Sequence, residues 1–272
     1  MEGWVEEISK CVIVDILRVL LVMNEKFFKI DKIVELIVDS YDNGLGVFAE
    51  KTNLEDVVPK GVGDLEKSLF LFYVTQIDYA TNSKRLNANA AKAFNQNAEF
   101  FNPNYLAGIE ASALKGFLEK IGPRYVNEAV VRWQINSRNL LEKYDGDPRN
   151  IFHDTSAQIV LDKVLEFRGF GPKTGNFFFR TMVDTFNYRY SDLNEIEQPV
   201  DRHDIRLTWE WGYLETSEIT DRNVCKVKKL WKDVCIRTGI NWITLDKAMW
   251  LIGSKGVKTG NFVKDFNRNI GR

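Results

Sequence analysis

A chain of 272 residues, 44% of them hydrophobic, is long enough to bury one large core or two modest ones. Its formal net charge of −1 lends no overall attraction for a polyanion, so any such partner must be met by a local cluster of charge. Three cysteines (Cys11, Cys225, Cys235) and two histidines (His153, His203) make no paired disulfide framework, match no zinc spacing and are too few for an iron–sulfur cluster. Inert, buried thiols and no metal or other cofactor are expected.

Along the chain, the first apolar stretch, Cys11 to Met23, is interrupted by Asp15 and Arg18. It falls short of the roughly 18 apolar residues of a membrane span. Its acidic flank (Glu2, Glu6, Glu7) has the wrong sign for a signal peptide. A soluble intracellular protein with no membrane partner is expected, cytoplasmic in a prokaryote or nuclear in a eukaryote.

Apolar residues then recur at three- and four-residue spacing in Ile33 to Val38, Leu65 to Val74, Ala111 to Ile121, Val126 to Leu141, Ile159 to Phe167 and Phe177 to Phe186. The pattern continues through Ile205 to Leu214, Val224 to Ile236 and Ile243 to Ile252. Asp64, Asn82, Ser156 and Thr244 stand where N-caps belong. Strand-like alternation is short and rare, which predicts an all-α fold. Asn102-Pro103-Asn104, Gly122-Pro123, Gly169 to Pro172 and Tyr188 to Pro199 punctuate the helices, and no low-complexity linker divides them. Gly171 to Phe177 is nearly repeated at Gly256 to Phe262, an echo with no longer repeat around it.

Charge is unevenly spread. Acidic side chains outnumber basic ones over residues 1–60, whereas Arg222, Lys226, Lys228, Lys229, Lys232 and Arg237 meet only Asp233 within their own stretch. The tail adds Lys255, Lys258, Lys264, Arg268 and Arg272. Such runs suit either a solvated helix face or a surface turned toward a polyanion.

The most informative stretch runs from Val164 to Arg206. A helix ending near Phe167 is followed by Arg168-Gly169-Phe170-Gly171-Pro172 and a second helix from Lys173. Two glycines permit a tight hairpin and a close approach of backbone to a surface. The free N–H groups there, with those of the next helix's first turn, suit a phosphate. Pro172 pre-sets φ for that turn. On its own, Gly-x-Gly between helices is more often only a plain tight corner.

Downstream stands Pro199-Val200-Asp201-Arg202-His203-Asp204-Ile205-Arg206. The two segments in this order resemble the signature of the helix-hairpin-helix–Gly/Pro–Asp DNA glycosylases. Gly169, Phe170 and Gly171 match that family's hairpin, and Lys173 falls on the lysine of its bifunctional members. Val200, Asp201, His203 and Arg206 match its valine-aspartate-x-histidine-apolar-x-arginine motif. Leu65 to Phe94 looks like the family's early helices, with Gln76 beside the DNA, and Leu245 to Trp250 like a closing helix of oxoguanine enzymes. The resemblance covers about residues 63–253, most closely 165–206. Three departures stand out: Phe167-Arg168 for leucine-proline, Asp204 where an apolar residue is usual, and extra residues from Asn187 to Gln198.

The resemblance implies two helical subdomains, residues 63–185 and residues 1–62 plus 186–272, with a DNA cleft between them. It implies a monomeric base-excision enzyme acting on double-stranded DNA that carries a damaged base, 8-oxoguanine as first substrate. Lys173 would attack the sugar C1′ and form a Schiff base, allowing β-elimination, while Asp201 would be the catalytic carboxylate. Gly169, Phe170, Gly171, Thr174, Gln76 and Arg206 would bind DNA, with Gln76 or Tyr79 filling the stack left by a rotated nucleotide. An exposed Trp133 or Phe178 would stack on the damaged base. His203 and the tryptophans Trp209, Trp211, Trp231, Trp242 and Trp250 are read as core. Two rival readings are a monofunctional glycosylase for alkylated or deaminated bases and a silent DNA-gripping module.

Overall fold

A computed structural model describes residues 29–256. Cys11 to Met23, the echo beyond Gly256 and the basic residues Lys258 to Arg272 lie outside them. All regular structure among the described residues is helical. It begins with a helix over 29–42, α1, that buries Ile30, Ile33, Val34, Ile37 and Tyr41.

The centre is α2, Asp64–Ile77. Its start is set by Gly63, whose N–H donates to the Glu66 carboxylate at 2.5 Å, a reciprocal cap that occupies an otherwise orphan donor. From Ser68 to Ile77 every residue is buried, as befits a helix with neighbours on all sides. Around it come α3 (Ser83–Gln96), α4 (Pro103–Gly108), α5 (Ala111–Ile121) and α6 (Val126–Tyr144). The hairpin pair follows, α7 (Ala157–Leu165) and α8 (Pro172–Phe186), then α9 (Arg202–Glu210), α10 (Asp221–Thr238) and α11 (Trp242–Ser254). Short 3-10 turns lie between, among them Gly46–Phe48 and Leu54–Val57.

Asn82 and Ser156 cap α3 and α7 as predicted, by accepting from Arg85 and Ile159 N–H. Two expected caps sit elsewhere. Asp64 is already helical behind Gly63, and Thr244 lies inside α11, whose cap is Asn241. In α4, Asn102 caps a helix with Pro103 at its first position, so Asn102-Pro103-Asn104 opens a short helix as well as ending the preceding turn. The Ile205 to Leu214 periodicity overran its helix. α9 stops at Glu210 because Gly212 turns the chain at φ +81°, and Leu214 is buried from beyond that turn.

α2 packs on α8, α6 and α3, and α7 lies along α8. α11 packs on α9, α10 and the turn Gly46–Phe48, and α10 on α9, where Trp211 and Trp231 meet edge to face at 5.7 Å. The two groups are joined by buried charge. Arg180 of α8 binds Asp246 of α11 at 2.9 Å and lies 3.7 Å from Glu55 of the turn Leu54–Val57. Lys247 of α11 reaches Glu55 at 3.3 Å and Asp184 of α8 at 2.5 Å. Removing one member of such a set would leave an uncompensated buried charge, which costs several kcal/mol, on the order of 3–5.

Candidate active site

The hairpin is shaped by one glycine more than by two. Gly169 has φ +91°, and a Cβ there would stand 2.8 Å from Arg132 Cδ; only glycine fits both requirements. Gly171 has an ordinary φ of −81° and faces open space, so its lack of a side chain serves approach from outside. Phe170 corrects the DNA-binding expectation. It is buried, with its ring centroid 5.6 Å from Phe72 and 5.1 Å from Phe178. An apolar ring between two glycines pins the hairpin to the core.

Gln76 also departs from expectation. It is fully buried; its amide donates to Phe72 O at 2.9 Å and its carbonyl accepts from Asn136 at 2.8 Å. Asn136 in turn donates to Arg168 O at 2.8 Å and accepts from Arg168 N at 2.9 Å. Gln76 therefore supports the hairpin from beneath through Asn136. Sequence reading missed Asn136; its signal was an amide on the apolar face of α6, between Trp133 and Leu140, where a buried polar group requires partners. Trp133 and Phe178 are fully buried and so offer no stacking face, while Trp209 and Cys225 are exposed. The buried Cys235 has its thiol pushed up to about 12 by burial.

α8 starts at Gly171 with no side-chain cap. The first-turn N–H groups of Lys173 and Thr174 therefore point outward without a helical partner. Asp201 is the N-cap of α9 and accepts from His203 N at 2.6 Å and Asp204 N at 3.3 Å. Its other oxygen lies 3.8 Å from Lys173 Nζ. The lysine side chain is 65% exposed and the aspartate 16%. Two helix N-termini from separate segments thus bring an amine and a carboxylate together at the surface. Asp78 lies close behind; burial raises its carboxyl's pKa, while the Ser83 hydroxyl and the Lys173 charge oppose the rise.

Arg206 turns inward, donating to Gly253 O at 3.1 Å with Glu210 at 3.5 Å. His203 packs on Gly253, where a Cβ would come within 2.4 Å of its own. Burial lowers the His203 pKa. Tyr79 is 57% exposed at the end of α2; its ring is 6.2 Å from Tyr125, over which Arg124 lies at 5.4 Å.

No family model matches the sequence, and no curated protein does. Solved structures do. The 8-oxoguanine DNA glycosylase of Thermotoga maritima superposes with a TM-score of 0.51 at 16% identity, over 83% of this chain and 96% of that one. That of Methanocaldococcus jannaschii gives 0.50 at 12%, over 81% and 93%. The chain shares the all-α fold of these two glycosylases. Within that fold, α7 and α8 are the hairpin helices of the sequence resemblance, and Asp201 opens the helix after it.

Proposed function

We propose that the protein is a base-excision DNA glycosylase that removes an oxidised base, 8-oxoguanine first, and then cuts the strand through Lys173. The observation that carries this reading is the meeting of Lys173 and Asp201 at 3.8 Å, beside an uncapped helix N-terminus. Residues 63–185 would form one subdomain and residues 1–62 with 186–272 the other, gripping damaged duplex DNA as a monomer.

The hairpin N–H groups and Thr174 would hold a phosphate by the positive end of α8, which carries no base information. Tyr79, exposed where Gln76 is buried, is the better candidate to fill the vacated stack. A lysine in water is protonated at neutral pH, so the amine needs a proton acceptor, and covering DNA would withdraw solvent from both groups. The Asp201 carboxylate is the acceptor within reach. The freed amine would attack C1′ as the bond to the base breaks, and the base would leave with the electron pair. Ring opening would give a Schiff base; loss of a C2′ proton would then expel the 3′ phosphate. Asp201 would also offset positive charge growing on the sugar.

Borohydride should trap an enzyme–DNA adduct on duplex carrying 8-oxoguanine, and Lys173→Gln should abolish it while lesion binding persists. A panel of single-lesion duplexes checks the substrate. Full excision by Lys173→Gln without an adduct would favour the monofunctional reading, which the exposure of Lys173 supports, with the lysine as a phosphate contact.

A further inference from the structure

Three carboxyl groups interact with one another on the Asp201 side of Lys173: Asp201, Asp204 and Asp246. Two of them have cationic partners, Lys173 at 3.8 Å for Asp201 and Arg180 at 2.9 Å for Asp246. Gln198 adds a donor to Asp246 at 3.3 Å, and Glu55 stands on the far side of Arg180. Asp204 is only 4% exposed and has no cation against it among the described residues. Its Oδ2 accepts from Asp201 N at 2.7 Å, closing the cap of α9 in return for the bond from Asp204 N to Asp201.

We propose that Asp204 is a positioning residue, a neutral buried carboxylic acid that donates its O–H to the Asp201 carboxylate and holds it toward Lys173. A dry carboxyl within the field of two carboxylates cannot join them in ionising without strong repulsion. Burial first, then the charges of Asp201 and Asp246, raises its pKa well above the ordinary value; the bond from Asp201 N opposes the rise, and the Asp201 side chain adds to it. A neutral donor orients Asp201 without adding a positive charge that would compete with Lys173 or the sugar. A lysine or arginine at this position would supply the hydrogen bond and cancel the field.

The role assigned to Asp201 rests on the glycosylase reading; the protonation of Asp204 does not, and the test separates the two. Difference infrared spectroscopy at the pH of the excision assay should show a carboxylic acid C=O band that Asp204→Asn removes. On lesion duplex, Asp204→Ala should lower single-turnover excision about 100-fold with little change in DNA affinity, the scale of a small misplacement of a reacting group. Asp204→Asn keeps both a donor and an acceptor and should restore most of that loss. It should also abolish the alkaline fall in rate that wild type shows as Asp204 ionises. Loss of excision in Asp204→Asn as deep as in Asp204→Ala, or absence of the band, overturns the proposal. A band that vanishes in Asp204→Asn while wild type excises no lesion refutes the glycosylase reading and leaves the neutral carboxyl standing.

Discussion

Asp201 has two separable functions, capping α9 and facing Lys173. Asp201→Ala removes both, and should cost about 0.5–2 kcal/mol of stability together with activity. Asp201→Asn still caps, so its urea unfolding midpoint should stay near wild type while excision is largely lost. Wild-type excision by Asp201→Asn would reduce Asp201 to a cap. A second effect follows from the buried carboxyls. Burial leads the rise at both Asp204 and Asp246, the latter to about 6. A carboxyl with a raised folded-state pKa favours the folded protein when protonated. Its contribution is complete below the unfolded value, about 3.9, and is lost as pH rises through the folded value. Asp204→Asn, which does not titrate, should therefore gain stability relative to wild type as pH rises above the unfolded value of about 3.9 in urea unfolding series. An unchanging difference over that range would mean that Asp204 does not titrate there.

Two glycines on the helices that frame the site behave differently under the same substitution. At Gly175 in α8 an added Cβ would stand 2.6 Å from Leu165 Cδ2, the far end of a flexible side chain. Alanine also gains about 1 kcal/mol over glycine in a helix interior. Gly175→Ala is thus expected within about 1 kcal/mol of wild type. At Gly253 in α11 the new atom would lie 2.4 Å from His203 Cβ and 2.7 Å from Cγ, which cannot swing aside without moving α9. Gly253→Ala should cost about 1–3 kcal/mol, and because Asp201 caps α9 its excision rate should fall too. Chemical denaturation and single-turnover excision measured side by side check both. Unchanged values for Gly253→Ala would show that the α9–α11 contact yields.

For the molecule as a whole, the basic face of α10 is partly answered from within the protein. Lys228 is paired with Glu197 at 2.7 Å, Lys232 donates to Glu195 O at 3.2 Å, and Arg237 binds Asp31 at 2.6 Å. Lys226 and Lys229 are exposed with no ion pair among the described residues. If this face meets the phosphate backbone, Lys226→Ala with Lys229→Ala should reduce the log–log salt slope of duplex binding by ~0.9 for each lost contact. Lys228→Ala alone should do less, since its charge is already answered. A double mutant with the wild-type slope would make the cluster a solvated face.

Helix content and the Lys173–Asp201 pair were legible along the chain because both are local patterns: apolar spacing in one case, short motifs in the other. Gly169 was legible for the same reason, since a positive φ is a property of one residue and its neighbours. Which side of a helix a polar residue occupies was not. Gln76 and Phe170 lie within the resembling segments, yet both are buried, because neighbouring helices cover that face of α2 and that side of the hairpin. The set of Glu55, Arg180, Asp246 and Lys247, and the charges of Asp201 and Asp246 that act on Asp204, depend on four separate stretches of chain meeting. Burial and the proximity of distant charges arise only when the helices pack, and they are what turned an unexpected aspartate into a neutral donor.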